Sequence, residues 1–71
     1  MIAVDVVELN KREIQILTWS ARGRTSQEIA LKLGLSKRTV DSYIDSARTK
    51  LHATTRTHAV VKAVTRRLIR P

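Results

Sequence analysis

The sequence predicts an all-α fold, a four-helix domain built around a helix-turn-helix. Three observations carry this expectation. Asn10 with Glu13, and Thr25 with Glu28, each place a capping residue three positions before a glutamate that can reach back to the cap's own N–H. Gly34 stands two positions before Ser36, a further N-cap, so two helices are joined by a turn of a few residues. The chain also carries 14 Lys and Arg against 6 Asp and Glu, a net charge of +8, and in a basic protein the second helix of such a pair characteristically enters the DNA major groove.

Each helix has its own local warrant. The first spans 11–21, with Ile14, Leu17 and Ala21 on one face and Ile16 and Ser20 beside it, and Gly23 ends it. The second spans 26–33, with Ile29, Ala30 and Leu33 inward and Gly34 supplying the left-handed residue that closes a helix. A third is expected over 37–51, where Val40, Ile44, Ala47 and Leu51 follow the spacing of one buried face. Lys37, Arg38, Asp41, Ser42, Asp45, Arg48 and Thr49 make the opposite, polar side. Thr55 caps a fourth, expected to continue to about Leu68. On it Ala59, Val60 and Ala63 form one apolar stripe. Val61, Val64 and Leu68 form a second, rotated by roughly a third of a turn at 3.6 residues per turn. A terminal helix in a small domain needs one stripe for the core, which makes the second a candidate dimer surface. Residues 1–8 lack helical period and have no partner strand, and they read as a leader or linker remnant ahead of a domain at 9–70.

Composition narrows the function. Seventy-one residues make one domain near the lower size limit for a core without staples. There is no cysteine, no apolar run long enough for a membrane span and no secretion signal, which fits a cytoplasmic protein without membrane contact. His52 and His58 stand without a cysteine or carboxylate nearby, so neither metal nor cofactor is expected. No nucleophile elbow, phosphate loop or carboxylate pair appears, and so small a helical domain has little room for a substrate or signal molecule. An enzyme is not expected.

Leu9, Asn10, Lys11, Arg12, Glu13, Ile16, Leu17, Gly23, Glu28, Ile29, Ala30, Leu33, Leu35, Ser36, Thr39, Val40, Lys50, Leu51, Arg56, Ala59 and Val60 agree in register with one family. Over residues 9–64 the sequence resembles the LuxR-type (GerE-like) DNA-binding domain. The resemblance implies the output domain of a bacterial transcription regulator, with the recognition helix over 37–51. Within the family, the segment 19–25 is similar to that of quorum-sensing regulators, with Trp19 and with Arg24 where lysine is common. Three positions depart from the pattern. His52 replaces a glycine, and Asp41 and Asp45 place two carboxylates where basic or neutral residues face DNA. The output domain of a longer regulator and a short protein with this domain alone both fit the resemblance.

The candidate contacts follow. Lys37 and Arg38 sit in the first turn of the recognition helix, where cations oppose the macrodipole and local stability explains them poorly. Which of them reads a base is open. Arg24 and Thr25 precede the second helix, whose N-terminal N–H groups suit a phosphate. Lys50 is the phosphate candidate that the resemblance implies. Trp19 has two readings, a phosphate donor through its indole N–H or a core aromatic. Asp41 and Asp45 have three: internal pairing with Lys37, Arg38 or Arg48, acceptance from cytosine N4, or an electrostatic brake on binding. Ser42 lies between them. The expected partners are double-stranded DNA, a second copy of the chain and RNA polymerase. The alternatives are a sigma-factor region-four-like promoter module, or a protein-interaction module that sequesters another regulator through its fourth helix.

Overall fold

A computed structural model describes residues 8–71, so the expectation for the leader falls almost wholly outside the described residues. These residues hold four helices: α1 (Lys11–Ala21), α2 (Ser26–Leu33), α3 (Lys37–Lys50) and α4 (Arg56–Thr65). None is long and apolar enough to cross a membrane. All four begin at the expected cap. Asn10 and Thr25 close capping boxes with Glu13 and Glu28, and Ser36 and Thr55 accept from the N–H groups of Thr39 and His58. Each cap satisfies donors that the first turn leaves free, an effect of about 1 kcal/mol.

Two apolar clusters share α1 and α3. Ile16, Ile29, Ala30, Val40 and Ile44 join α1, α2 and α3, flanked by Trp19, Leu33, Leu35 and Tyr43. Leu17, Ala47, Leu51, Ala53, Ala59, Ala63 and Ile69 join α1, α3 and α4. The helix-turn-helix is thus held from behind by α1, and α2 and α4 each pack on α1 and α3 but not on each other. The polar side of α3 is left outward.

Every helix closes with the same device, a left-handed residue followed by an N–H that reaches back to a carbonyl five residues earlier. The pairs are Arg24 to Trp19, Leu35 to Ala30, Ala53 to Arg48 and Leu68 to Ala63. Glycine supplies the turn at Gly23 and Gly34, whereas His52 (φ 53) and Arg67 (φ 58) supply it without glycine. The last case corrects the expected end of α4. Arg67 turns the chain out of the helix, so α4 stops at Thr65 and Leu68 lies beyond it. Leu68 and Ile69 then fold back onto the second cluster, Ile69 being almost fully covered. Leu68 is therefore part of the packing behind α4 and does not extend a second stripe.

A side chain in the left-handed region costs about 1–2 kcal/mol, and glycine avoids that cost while losing more freedom on folding. His52→Gly should therefore raise unfolding free energy by roughly 1 kcal/mol in urea titration, with an unchanged slope. An alanine at Gly34, where an added Cβ meets nothing within 4 Å, should lower it by a similar amount through backbone strain alone.

Candidate nucleic-acid interface

Two concavities adjoin on the outward side of the helix-turn-helix. Lys37, Arg38, Asp41, Ser42 and Asp45 line a shallow groove along α3. Arg24, Thr25 and Ser26 at the start of α2, Lys37 and Asp41 on α3, and Arg56 on α4 line a cleft that opens into it. Six of the residues singled out from sequence, Arg24, Thr25, Lys37, Arg38, Asp41 and Ser42, thus share one continuous surface, with Asp45 at its far end. Its cations are exposed, and the first turns of α2 and α3 both open onto it.

The two carboxylates on α3 are both paired internally. Asp41 Oδ2 accepts from Lys37 Nζ at 2.9 Å. The Ser26 hydroxyl first, then the Lys37 ammonium beside it and the Arg56 charge beyond, hold the Asp41 carboxyl below the usual carboxylate range despite partial burial. Asp41 is half-buried and turned toward α2, not simply outward as its position on the polar side suggested. Asp45 Oδ1 accepts from Arg48 Nε at 3.1 Å and Nη2 at 2.7 Å, while Arg48 Nη1 donates to the Ala53 carbonyl. Of the three readings of these aspartates, this geometry favours internal pairing.

Lys50 stands apart from the surface. Its ammonium donates to Glu13 Oε1 at 2.8 Å, and the Ser46 hydroxyl donates to Oε2 at 2.8 Å. Glu13 is 1% exposed and also accepts from the Asn10 N–H, so Lys50 serves first as counter-ion to a buried carboxylate. Burial pushes the Glu13 carboxyl up, but hydrogen bonds from Lys50, the Asn10 N–H and Ser46, with the Lys50 charge, outweigh it and hold the group below the ordinary glutamate range. Trp19 packs beside the first cluster with Lys32 and Arg22 over its ring, at 4.7 and 5.1 Å. It does not line the cleft. Val61 (54% exposed) and Val64 (37%) remain as outward apolar residues of α4.

Sequence reasoning missed Arg56 and Lys62, both read as solvated basic surface. Arg56 bonds to Ser20, Ser26 and the Arg24 carbonyl. Lys62 donates to the carbonyls of Leu51 and His52 and so closes the C-terminus of α3, where a cation also complements the dipole. No local spacing signals either role, since the partners lie ten or more residues away.

A compact helix-turn-helix with this exposed basic face defines a DNA-binding class of domain. Comparison with known proteins gives the family: "Bacterial regulatory proteins, luxR family" matches residues 7–63, and the chain belongs to it. That family consists of DNA-binding transcription regulators, and the domain is not an enzyme. The chain is 47% identical over 62 residues to the HTH-type quorum sensing-dependent transcriptional regulator RpaR of Rhodopseudomonas palustris, covering 87% of this chain and 26% of that protein. It is 39% identical over 57 residues to the transcriptional activator protein LuxR of Aliivibrio fischeri, covering 80% and 23%. A third relative, the transcriptional activator protein VanR of Vibrio anguillarum, is 41% identical over 63 residues, covering 89% and 26%. The chain thus spans about a quarter of the length of these relatives.

The buried carboxylate sets a pH dependence. A Glu13 pKa lower in the folded chain than in the unfolded one, where it lies near about 4.3, contributes stability present above the unfolded value. That stability disappears as pH falls through the folded value. Glu13→Gln should lower stability at pH 7 by about 1.5–3 kcal/mol, the range for hydrogen bonds to charged groups. It should also flatten the loss of stability below about pH 4.3, as measured by urea unfolding across pH.

Proposed function

We propose that this domain binds double-stranded DNA sequence-specifically as the output domain of a quorum-sensing transcription regulator acting in the cytoplasm. In this reading α3 lies in the major groove. Lys37, Arg38 and Ser42 offer donors to base edges, while Arg24, Thr25 and the first N–H groups of α2 receive backbone phosphate. One observation carries it: the α3 groove and the cleft at the start of α2 form a single surface where Arg24, Lys37 and Arg38 are exposed together. The quorum-sensing assignment rests on the relatives RpaR and LuxR and on the segment 19–25. Asp41 and Asp45, each engaged with a cation of its own helix, act as counter-ions that tune this surface. RNA polymerase is the expected second partner of a regulator so placed at a promoter.

A second copy would meet this one through α4. Val61 and Val64 lie one face away from the buried Ala59 and Ala63, and they supply the apolar centre of a small symmetric contact. So small a patch makes a weak dimer in free solution, one completed by two half-sites on DNA.

Selection from random DNA at stated salt should enrich one near-palindromic site, and failure to enrich any sequence would overturn the reading in favour of a protein-interaction module. Arg24→Ala should weaken binding to all sequences alike and reduce the magnitude of the log–log salt slope by about 0.9, the effect of removing one cation from one phosphate. Altered base preference with an intact slope would instead make Arg24 a base reader. Val61→Lys combined with Val64→Lys should leave the fold intact and abolish cooperative binding to half-sites about 34–36 Å apart. Undiminished cooperativity would remove α4 as the dimer surface.

A further inference from the structure

We propose that Arg56 is a positioning residue for DNA recognition: its guanidinium fixes the segment 24–26 and the first turn of α3 in the arrangement that DNA meets. The inference rests on the DNA-binding reading above and adds a residue from α4, a helix with no place in the helix-turn-helix itself.

The start of α2 has little to hold it. Arg24, Thr25 and Gln27 are exposed, Gly23 carries no side chain, and α2 and α4 do not pack together. Arg56, the first residue of α4, spans that gap. Its Nε donates to Ser20 Oγ at 2.9 Å, Nη1 to Ser26 Oγ at 2.6 Å and Nη2 to the Arg24 carbonyl at 3.2 Å. One planar group thereby fastens the end of α1, the turn and the first residue of α2. Ser26 is buried, and its oxygen is engaged by Arg56. Its hydroxyl proton is then free for the Asp41 carboxylate on α3, which in turn holds Lys37. The line Arg56, Ser26, Asp41, Lys37 thus runs from α4 to the tip of the recognition helix.

Two chemical points separate positioning from simple phosphate attraction. Three of the five guanidinium N–H donors are already committed within the protein, each to a different segment. And the three acceptors demand a fixed planar fork, which a lysine ammonium on a flexible stem does not reproduce although it keeps the charge. Donors ordered before the ligand arrives cost nothing to order at binding, so the gain from this clamp appears as DNA affinity.

The test compares wild type, Arg56→Lys and Ser26→Ala on the selected DNA site, with circular dichroism and thermal unfolding as the check of fold. Arg56→Lys should bind about tenfold more weakly, a difference of about 1.4 kcal/mol, with an unchanged salt slope because charge is kept. Neutralising single phosphates as methylphosphonates should weaken wild-type binding most at those facing 24–26. In Arg56→Lys that sensitivity should vanish there and persist elsewhere. Arg24→Ala added to Arg56→Lys should cost less than it costs alone, since the loosened turn no longer holds Arg24 against its phosphate. Ser26→Ala, which leaves every charge in place, should give the same local loss of sensitivity and keeps the proposal testable if Arg56→Lys does not fold. Full affinity in a folded Arg56→Lys, or a methylphosphonate pattern like that of wild type in either folded variant, overturns the positioning role and leaves the DNA-binding reading standing. Absence of any site bound by wild type overturns both.

Discussion

The Glu13 carboxylate takes the Asn10 N–H and the Lys50 ammonium on one oxygen and the Ser46 hydroxyl on the other, so the start of α1 and the end of α3 are tied at one buried point. Burying a carboxylate is costly unless it is paired and hydrogen-bonded, and here both conditions hold. The remaining architecture depends on this junction. Both apolar clusters are built on α1 and α3, and α2 and α4 each fill one side of that pair. A change in the angle between α1 and α3 would disturb both clusters together. It would also displace the recognition helix relative to the start of α2, the two elements whose spacing a DNA groove measures.

What the sequence revealed was whatever is local. The caps at Asn10, Thr25, Ser36 and Thr55 act over three residues, and the apolar face Val40, Ile44, Ala47, Leu51 repeats with the helix, so both can be read directly. The left-handed His52 was foreseeable from the same local logic. The end of α4 was not, because nothing marks Arg67 as a terminator. Its conformation is imposed by the tail, where burial of Ile69 and part of Leu68 offsets the strain of a non-glycine turn. The sequence pattern at Leu68 continues as though the helix did.

The site was legible as a set of positions and less so as a set of roles. Spacing placed Lys37, Arg38, Asp41, Ser42 and Asp45 on one side of α3, and the groove contains all five. It could not show that Lys50 answers Glu13, 37 positions away, or that Arg56 reaches Ser26, 30 positions away. Such partners are set by the packing of helices, which brings together residues with no periodic relation. A lysine assigned by charge alone defaults to solvent or to an anionic ligand, and that default fails wherever the protein has buried an anion or a helix end of its own.

The same reasoning revises what a net charge of +8 means here. Arg48, Lys50, Arg56 and Lys62 are each engaged by carboxylates, hydroxyls or carbonyls of the domain, and Arg22 and Lys32 lie over Trp19. Their charge still contributes to the long-range field that draws a polyanion, but their donors are largely directed inward. Short-range contact with DNA then falls to the few cations at the cleft and groove, Arg24, Lys37 and Arg38, two of which carry a carboxylate partner of their own. Glu28 on Arg24 and Asp41 on Lys37 sit at i+4, where exposed pairs are worth only a few tenths of a kcal/mol. A phosphate or base edge can replace such a partner at little cost. The pairs therefore keep the cations ordered and screened in the free domain without locking them, whereas the Glu13 and Arg56 networks, partly or wholly buried, are the fixed frame against which that exchange occurs.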